Sequence, residues 1–102
     1  MFDYFYYKGN EYQSKDTPAQ AMIKYELRDD NTLWREDCDS DWIADKNAFL
    51  GGYIEEKNHR WVFCDTFLGE IRFYRSIDRK QDEWEEYSAY FKNGTLREIN
   101  EV

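Results

Sequence analysis

The chain has 102 residues, the size of one domain with no room for a second. Its 22 Asp and Glu against 14 Lys and Arg leave a net charge of -8, which repels free nucleic acid and anionic membrane surfaces and makes a basic surface the complementary partner. Charged residues reach 35%, yet 20% of the residues are Phe, Trp or Tyr, and disordered chains are poor in such rings, so a soluble folded domain with a largely aromatic core is expected.

Residues 2–7 are dense in β-formers and lead through Lys8-Gly9-Asn10 into Glu11-Tyr12-Gln13, which reads as a strand, a tight turn and a short return. Residues 17–27 carry a helix signal: Thr17 suits the N-cap, Pro18 the first helical position, and Gln20 stands three after Thr17 as in a capping box. Ile23, Tyr25 and Leu27 also alternate with Lys24 and Glu26, a strand pattern, but the capping signals favour one short helix. Asp29-Asp30-Asn31 ends that element and Leu33-Trp34-Arg35 begins another. Residues 37–46 read as polar and irregular, and Ala48 to Leu50 precede a flexible Gly51-Gly52 joint. Residues 53–56 and 60–67 read as a hairpin around Lys57-Asn58-His59. Its second strand, Trp61-Val62-Phe63-Cys64, is apolar at both parities, as in a strand covered on both faces. Gly69 opens a strand over 70–76 with Ile71 and Phe73 on one face, and Arg79-Lys80-Gln81-Asp82 follows as a polar loop. Residues 84–91 and 96–99 flank Lys92-Asn93-Gly94, the strongest hairpin signal, which places Phe91 opposite Leu96 and Tyr90 opposite Arg97. These elements predict a mainly β (α+β) fold over residues 1–102: an antiparallel meander or small β-barrel-like sheet with one short N-terminal helix.

Motifs that carry chemistry are sparse. The first residues lack a basic stretch followed by an apolar one, so no signal peptide is expected, and no run approaches the roughly 20 apolar residues of a membrane span. Cys38 and Cys64 show no CxxC spacing, which predicts two free thiols in a reducing cytoplasm. His59, the one histidine, is expected exposed in a turn; that removes the base needed by Ser-His-Asp or Cys-His chemistry, and one His with two distant Cys argues against zinc. Asp37-Cys38-Asp39-Ser40-Asp41 is spaced like the start of a calcium loop, but the sixth position is Trp42 instead of Gly and the twelfth Ala48 instead of Glu. Glu83-Trp84-Glu85-Glu86 reads as an edge or strand end charged against aggregation. Nucleic-acid stacking on aromatics would need a positive groove, and Arg72, Arg75, Arg79 and Lys80 are diluted by Glu70, Asp78 and Asp82. The expectation is therefore no enzyme and no catalytic, cofactor-binding or metal-binding residues.

Charge asymmetry is what remains. Between Asp29 and Asp45 seven acids face one base, Arg35, with Trp34 and Trp42 embedded among them. Acids interleaved with tryptophans suit an interface that meets Lys and Arg, the charges steering and the rings anchoring. Trp34, Glu36, Asp37, Asp39, Asp41, Trp42 and Asp45 are the candidate partner-binding residues, with the acids expected to be exposed and mutually repulsive. The function expected is a small acidic binding protein, a monomer or small homo-oligomer, that inhibits or neutralises a basic, nucleic-acid-handling protein such as a toxin or nuclease. Toxin-immunity proteins, antitoxins and phage inhibitors are of this physical type. The alternative is a small β-barrel carrier of an apolar molecule.

Overall fold

A computed structural model describes residues 1–47, 49–77 and 83–102; the expected polar loop Arg79-Lys80-Gln81-Asp82 and Ala48 lie outside the described residues. Eight strands follow in chain order: β1 Asp3–Tyr7, β2 Asn10–Ser14, β3 Lys24–Leu27, β4 Leu33–Ala44, β5 Gly52–Phe63, β6 Gly69–Ser76, β7 Trp84–Lys92 and β8 Thr95–Glu101. They form one sheet in the order β5-β4-β3-β1-β2-β6-β7-β8. All pairs are antiparallel except β1 with β3, which run parallel, so the sheet is mixed. The predicted mainly β character holds. No helix occurs among the described residues, and none is therefore long and apolar enough to cross a membrane.

The helix expected over 17–27 is replaced by a loop and a strand, and a single carboxylate explains why. Asp3, fully buried at the start of β1, accepts hydrogen bonds from Thr17 Oγ1 (2.6 Å) and from the backbone N–H of Gln20 (2.7 Å), Ala21 (2.8 Å) and Ile23 (2.9 Å). Four donors fill the acceptor capacity of one carboxylate. The amides that a helix would have turned inward are thus spent on Asp3, with Gln20 (φ 52°) and Met22 (φ 58°) left-handed to aim them. The Thr17–Gln20 pairing is real: Gln20 Nε2 donates to the Thr17 carbonyl at 2.8 Å. It closes a loop instead of starting a helix. From there Lys24–Leu27 pairs alongside β1, Tyr25 beside Phe5 and Leu27 beside Tyr7. The alternation of Tyr25 and Leu27, both buried, is a strand alternation after all.

One face of the sheet curls around the core. Phe5, Tyr12, Tyr25, Leu27, Leu33, Ile71, Phe73, Ala89 and Phe91 are buried there, with the Phe5 and Phe73 rings stacked at 4.2 Å. Rings supply most of that apolar area, as the composition requires. The sheet does not close, so the predicted barrel is not formed. Its two halves meet along β2 and β6 through one registered pair, Gln13 with Tyr74. Side chains extend that seam: Ser14 Oγ donates to the Arg72 carbonyl (2.6 Å), and Asp16 accepts from the Arg72 amide (3.0 Å). Opposite the seam, the tip of the β7–β8 hairpin reaches the start of β4. Leu33 N–H donates to the Gly94 carbonyl (2.8 Å), Leu96 N–H to the Asn31 carbonyl (2.7 Å), and Gly94 N–H to the Phe67 carbonyl (3.0 Å).

Two of the three expected hairpin turns form as the sequence predicts. Lys8 and Gly9 (φ 49° and 78°) and Asn93 and Gly94 (φ 53° and 73°) both make the left-handed pairs that hairpins favour. Phe91 does oppose Leu96, but a register shift between Tyr90 and Phe91 sets Tyr90 opposite Glu98 instead of Arg97. Two further expectations fail together. The supposed turn at Lys57-Asn58-His59 is the middle of a twelve-residue strand, and the supposedly irregular stretch after Asp37 is its partner, continuous from Leu33 to Ala44.

Two stability predictions follow from these two devices. A Cβ on Gly94 would stand 2.2 Å from the Cys64 carbonyl oxygen, whereas one on Gly9, at nearly the same φ, meets nothing within 4 Å. Gly9→Ala should then cost about 1–2 kcal/mol of backbone strain, and Gly94→Ala about 1–3 kcal/mol more. Equal urea midpoints for the two variants would show that the hairpin tip is not seated against the end of β5 at Phe63 and Cys64. Burial alone would raise the Asp3 pKa, but the hydrogen bonds from Thr17 and the loop amides outweigh it and hold the carboxyl below its ordinary value. Its contribution is therefore present above the ordinary aspartate range and is lost as pH falls through the folded-state value. Asp3→Asn sets an NH₂ against two of the four donors and should cost about 2–4 kcal/mol at neutral pH. Its stability should also fall less on acidification than that of the parent protein. A neutral-pH cost below about 0.5 kcal/mol would contradict the cradle.

Candidate functional site

Beyond Arg35, the strands β4 and β5 leave the core and continue as a two-stranded arm. Cross-strand pairing runs Trp34 with Phe63, Arg35 with Val62, Glu36 with Trp61 and Asp37 with Arg60. A bulge then intervenes, and pairing resumes with Asp39 and Lys57 and continues to Ala44 and Gly52. Between Asp37 and Asp39 one strand advances two residues while the other advances three, with Asn58 left-handed (φ 56°) in the extra step. The molecule measures 51 × 37 × 20 Å.

Alternation divides the seven candidate residues between two faces. Asp37, Asp39 and Asp41 project from one face, where they meet cations: Arg60 reaches Asp37 (3.1 Å) and Asp39 (3.4 Å), and Lys57 reaches Asp41 (2.6 Å). Asn58 also donates to Asp39 (3.0 Å); that bond and the Arg60 charge hold the Asp39 carboxyl below its ordinary pKa. The expected mutual repulsion is accordingly relieved within the arm itself. Asp41 still stands directly opposite Glu55, a like-charge pair with Lys57 beside it. Over residues 36–60 seven acids remain against three bases.

Trp34, Glu36 and Trp42 occupy the other face. Trp34 is tied at the base of the arm: its Nε1 donates to Thr32 Oγ1 (2.7 Å), the Arg28 guanidinium lies 4.0 Å above the ring, and Phe63 packs at 5.4 Å. Trp42 stands eight residues along, about 26 Å away at strand rise. Its ring lies over Gly52, where an added Cβ would approach to 2.6 Å, yet the side chain is 58% exposed. It belongs to an apolar tip with Ile54 (64% exposed), Tyr53, Leu50 and Phe49. Asp45 caps that tip, accepting from the Asn47 amide (2.9 Å) while its own amide donates to the Gly51 carbonyl. The structure thus brings Asp37, Asp39 and Asp41 together, and Trp42 with the tip. It separates Trp34 from both.

The remaining residues singled out by sequence fall elsewhere. His59 is exposed, on β5 and not in a turn, with Nδ1 3.0 Å from Glu36 Oε1. Cys38 and Cys64 are free thiols. Glu85 turns inward, accepting from Tyr12 (3.0 Å), Tyr87 (2.9 Å) and Arg75 (2.7 Å), so it is not an edge charge. The Glu85 bond, with burial, pushes the Tyr87 hydroxyl up to about 12. The Arg75 bond first, and then those from Tyr87 and Tyr12, hold the Glu85 carboxyl below its ordinary pKa. Arg72 and Arg75, from the diluted basic stretch, pair with Glu70 and Glu85. An open groove of about 610 Å³ runs between Tyr25, Arg35, Val62 and Phe67, with the core residues Tyr25 and Leu33 in its lining. Sequence reading missed Phe49, Leu50, Tyr53 and Ile54 as surface groups, because apolar residues beside Gly51-Gly52 look like core until the arm is seen to leave it. Compared with protein-family models, with curated proteins and with solved structures, the chain matches none.

Proposed function

We propose that the protein is a stoichiometric binder that inhibits or neutralises a basic, nucleic-acid-handling protein through the β4–β5 arm. One observation carries the reading: the far end of the arm gathers five exposed large apolar residues, Trp42 and Ile54 paired on one face, Tyr53 on the other and Phe49 and Leu50 in the connecting turn, with Asp39, Asp41 and Glu55 on the Tyr53 face. Large apolar side chains gathered on a protruding element mark interaction surfaces. Interface energy concentrates in a few aromatic anchors, and surrounding acids set encounter rate and partner charge. Trp42 is suited to anchoring because Gly52 beneath it lets the ring lie flat, so little side-chain freedom remains to be lost on binding. The apolar-carrier alternative has less support, since the sheet is open and the groove beside Tyr25 is a surface feature.

The partner would be captured on the immobilised protein from the cells that make it, and its kinetics measured at two salt concentrations. Glu55→Lys converts the like-charge pair with Asp41 into an attractive one, so the free protein's thermal midpoint should hold or rise. The same change should slow association with a basic partner, most at low ionic strength. Trp42→Ala should act through faster dissociation, by about tenfold or more. A partner without basic character, or association unaffected by Glu55→Lys at both salts, would contradict the proposal.

A further inference from the structure

The bulge in β5 does something that charge pairing does not require. Residues three apart on a regular strand point to opposite faces, so Glu56 and His59 should not share one. The extra residue between Asp37 and Asp39 reverses the parity and turns both toward the Cys38 face, while Asn58 points the other way, to Asp39. One donor atom each from Cys38, Glu56 and His59 then lies within 4.8 Å of the others, the one such group among the described residues. The Cys38 thiol and the Glu56 carboxylate make no side-chain hydrogen bond or ion pair among the described residues, so both are available.

We propose that Cys38, Glu56 and His59 form a three-ligand site for zinc or a similar borderline divalent transition metal. A thiolate, an imidazole and a carboxylate are the ligand types zinc takes, and three protein ligands leave a fourth position for water or an outside group. Donor atoms on a tetrahedral zinc stand roughly 3.2–3.7 Å apart, given metal–ligand bonds of about 2.0–2.3 Å, so the group closes by about 1 Å through rotation of exposed side chains. Glu36 supports the assignment independently of the three ligands. Its Oε1 is 3.0 Å from His59 Nδ1, the way carboxylates orient metal-binding histidines, leaving Nε2 for the ion. On binding, the Cys38 thiol gives up its proton to solvent, and no redox step is involved. The sequence hides the site because its ligands sit on two strands and owe their common face to one inserted residue. It stands whether or not the arm binds protein.

Titration of the full chain with Co²⁺, read by thiolate-to-metal charge-transfer and d–d absorption and followed by Zn²⁺ competition, tests the assignment. The parent protein should saturate at one Co²⁺ per chain and release it to Zn²⁺, with affinity falling as pH is lowered. Cys38→Ser should abolish the thiolate band, and His59→Ala and Glu56→Gln should each weaken binding tenfold or more. Cys64→Ser should leave Co²⁺ affinity and the thiolate band unchanged. Circular dichroism should be unaltered in the three ligand variants, since those residues lie on the arm, outside the core. No saturable binding, equal loss with Cys64→Ser, or full affinity in His59→Ala, which would mean an adventitious thiol only, would overturn it.

Discussion

The fold depends on one carboxylate. Asp3 stands where the chain, having finished β2, crosses the end of β1 to begin β3, and its four hydrogen bonds fix that crossing. A buried carboxylate without partners would cost several kcal/mol; one with every lone pair filled becomes a clamp. From it follows the parallel placement of β3 on β1, and β4 pairs with β3 to set the direction in which the arm leaves the core. The same principle holds elsewhere: among the described residues, no buried side-chain nitrogen or oxygen lacks a partner.

The arm illustrates a different economy. A two-stranded ribbon without a core is marginal in water, and this one relies on cross-strand pairs. Arg60 and Lys57 neutralise the acid row locally, and Arg28, Thr32 and Phe63 hold Trp34 where the ribbon joins the sheet. The ion pairs among them are exposed and individually weak, but together these contacts let a polar strand extend past the core. The apolar tip has no such internal use. Each large side chain there gives up burial that a core would have provided, which is the physical case for a partner that supplies it.

What the sequence made legible was local. Lys8-Gly9 and Asn93-Gly94 read correctly because two-residue turns need left-handed backbone that few residues tolerate. Ile71 and Phe73 read correctly because alternation survives in a sheet with one buried face. Thr17, Pro18 and Gln20 misled because capping signals record a loop's need for side-chain acceptors as faithfully as a helix's, and the acceptor, Asp3, lies fourteen or more residues away. Lys57-Asn58-His59 misled for a related reason: Asn58 does take the left-handed conformation of a turn, but within a bulge. Of the seven candidate residues, the acids and Trp42 lie on the arm as a set, whereas Trp34 belongs to its base. Nothing local separates those two tryptophans.

The central claim is that the arm is the surface that binds. Hydrogen exchange of the backbone amides, measured in the free protein and in the complex with its captured partner, tests it directly. Slowed exchange confined to residues 38–44 and 49–57, with the amides around Glu85 unchanged, is the result this account predicts. Protection that spares the arm and falls instead on the outer strands β7 and β8 would contradict it.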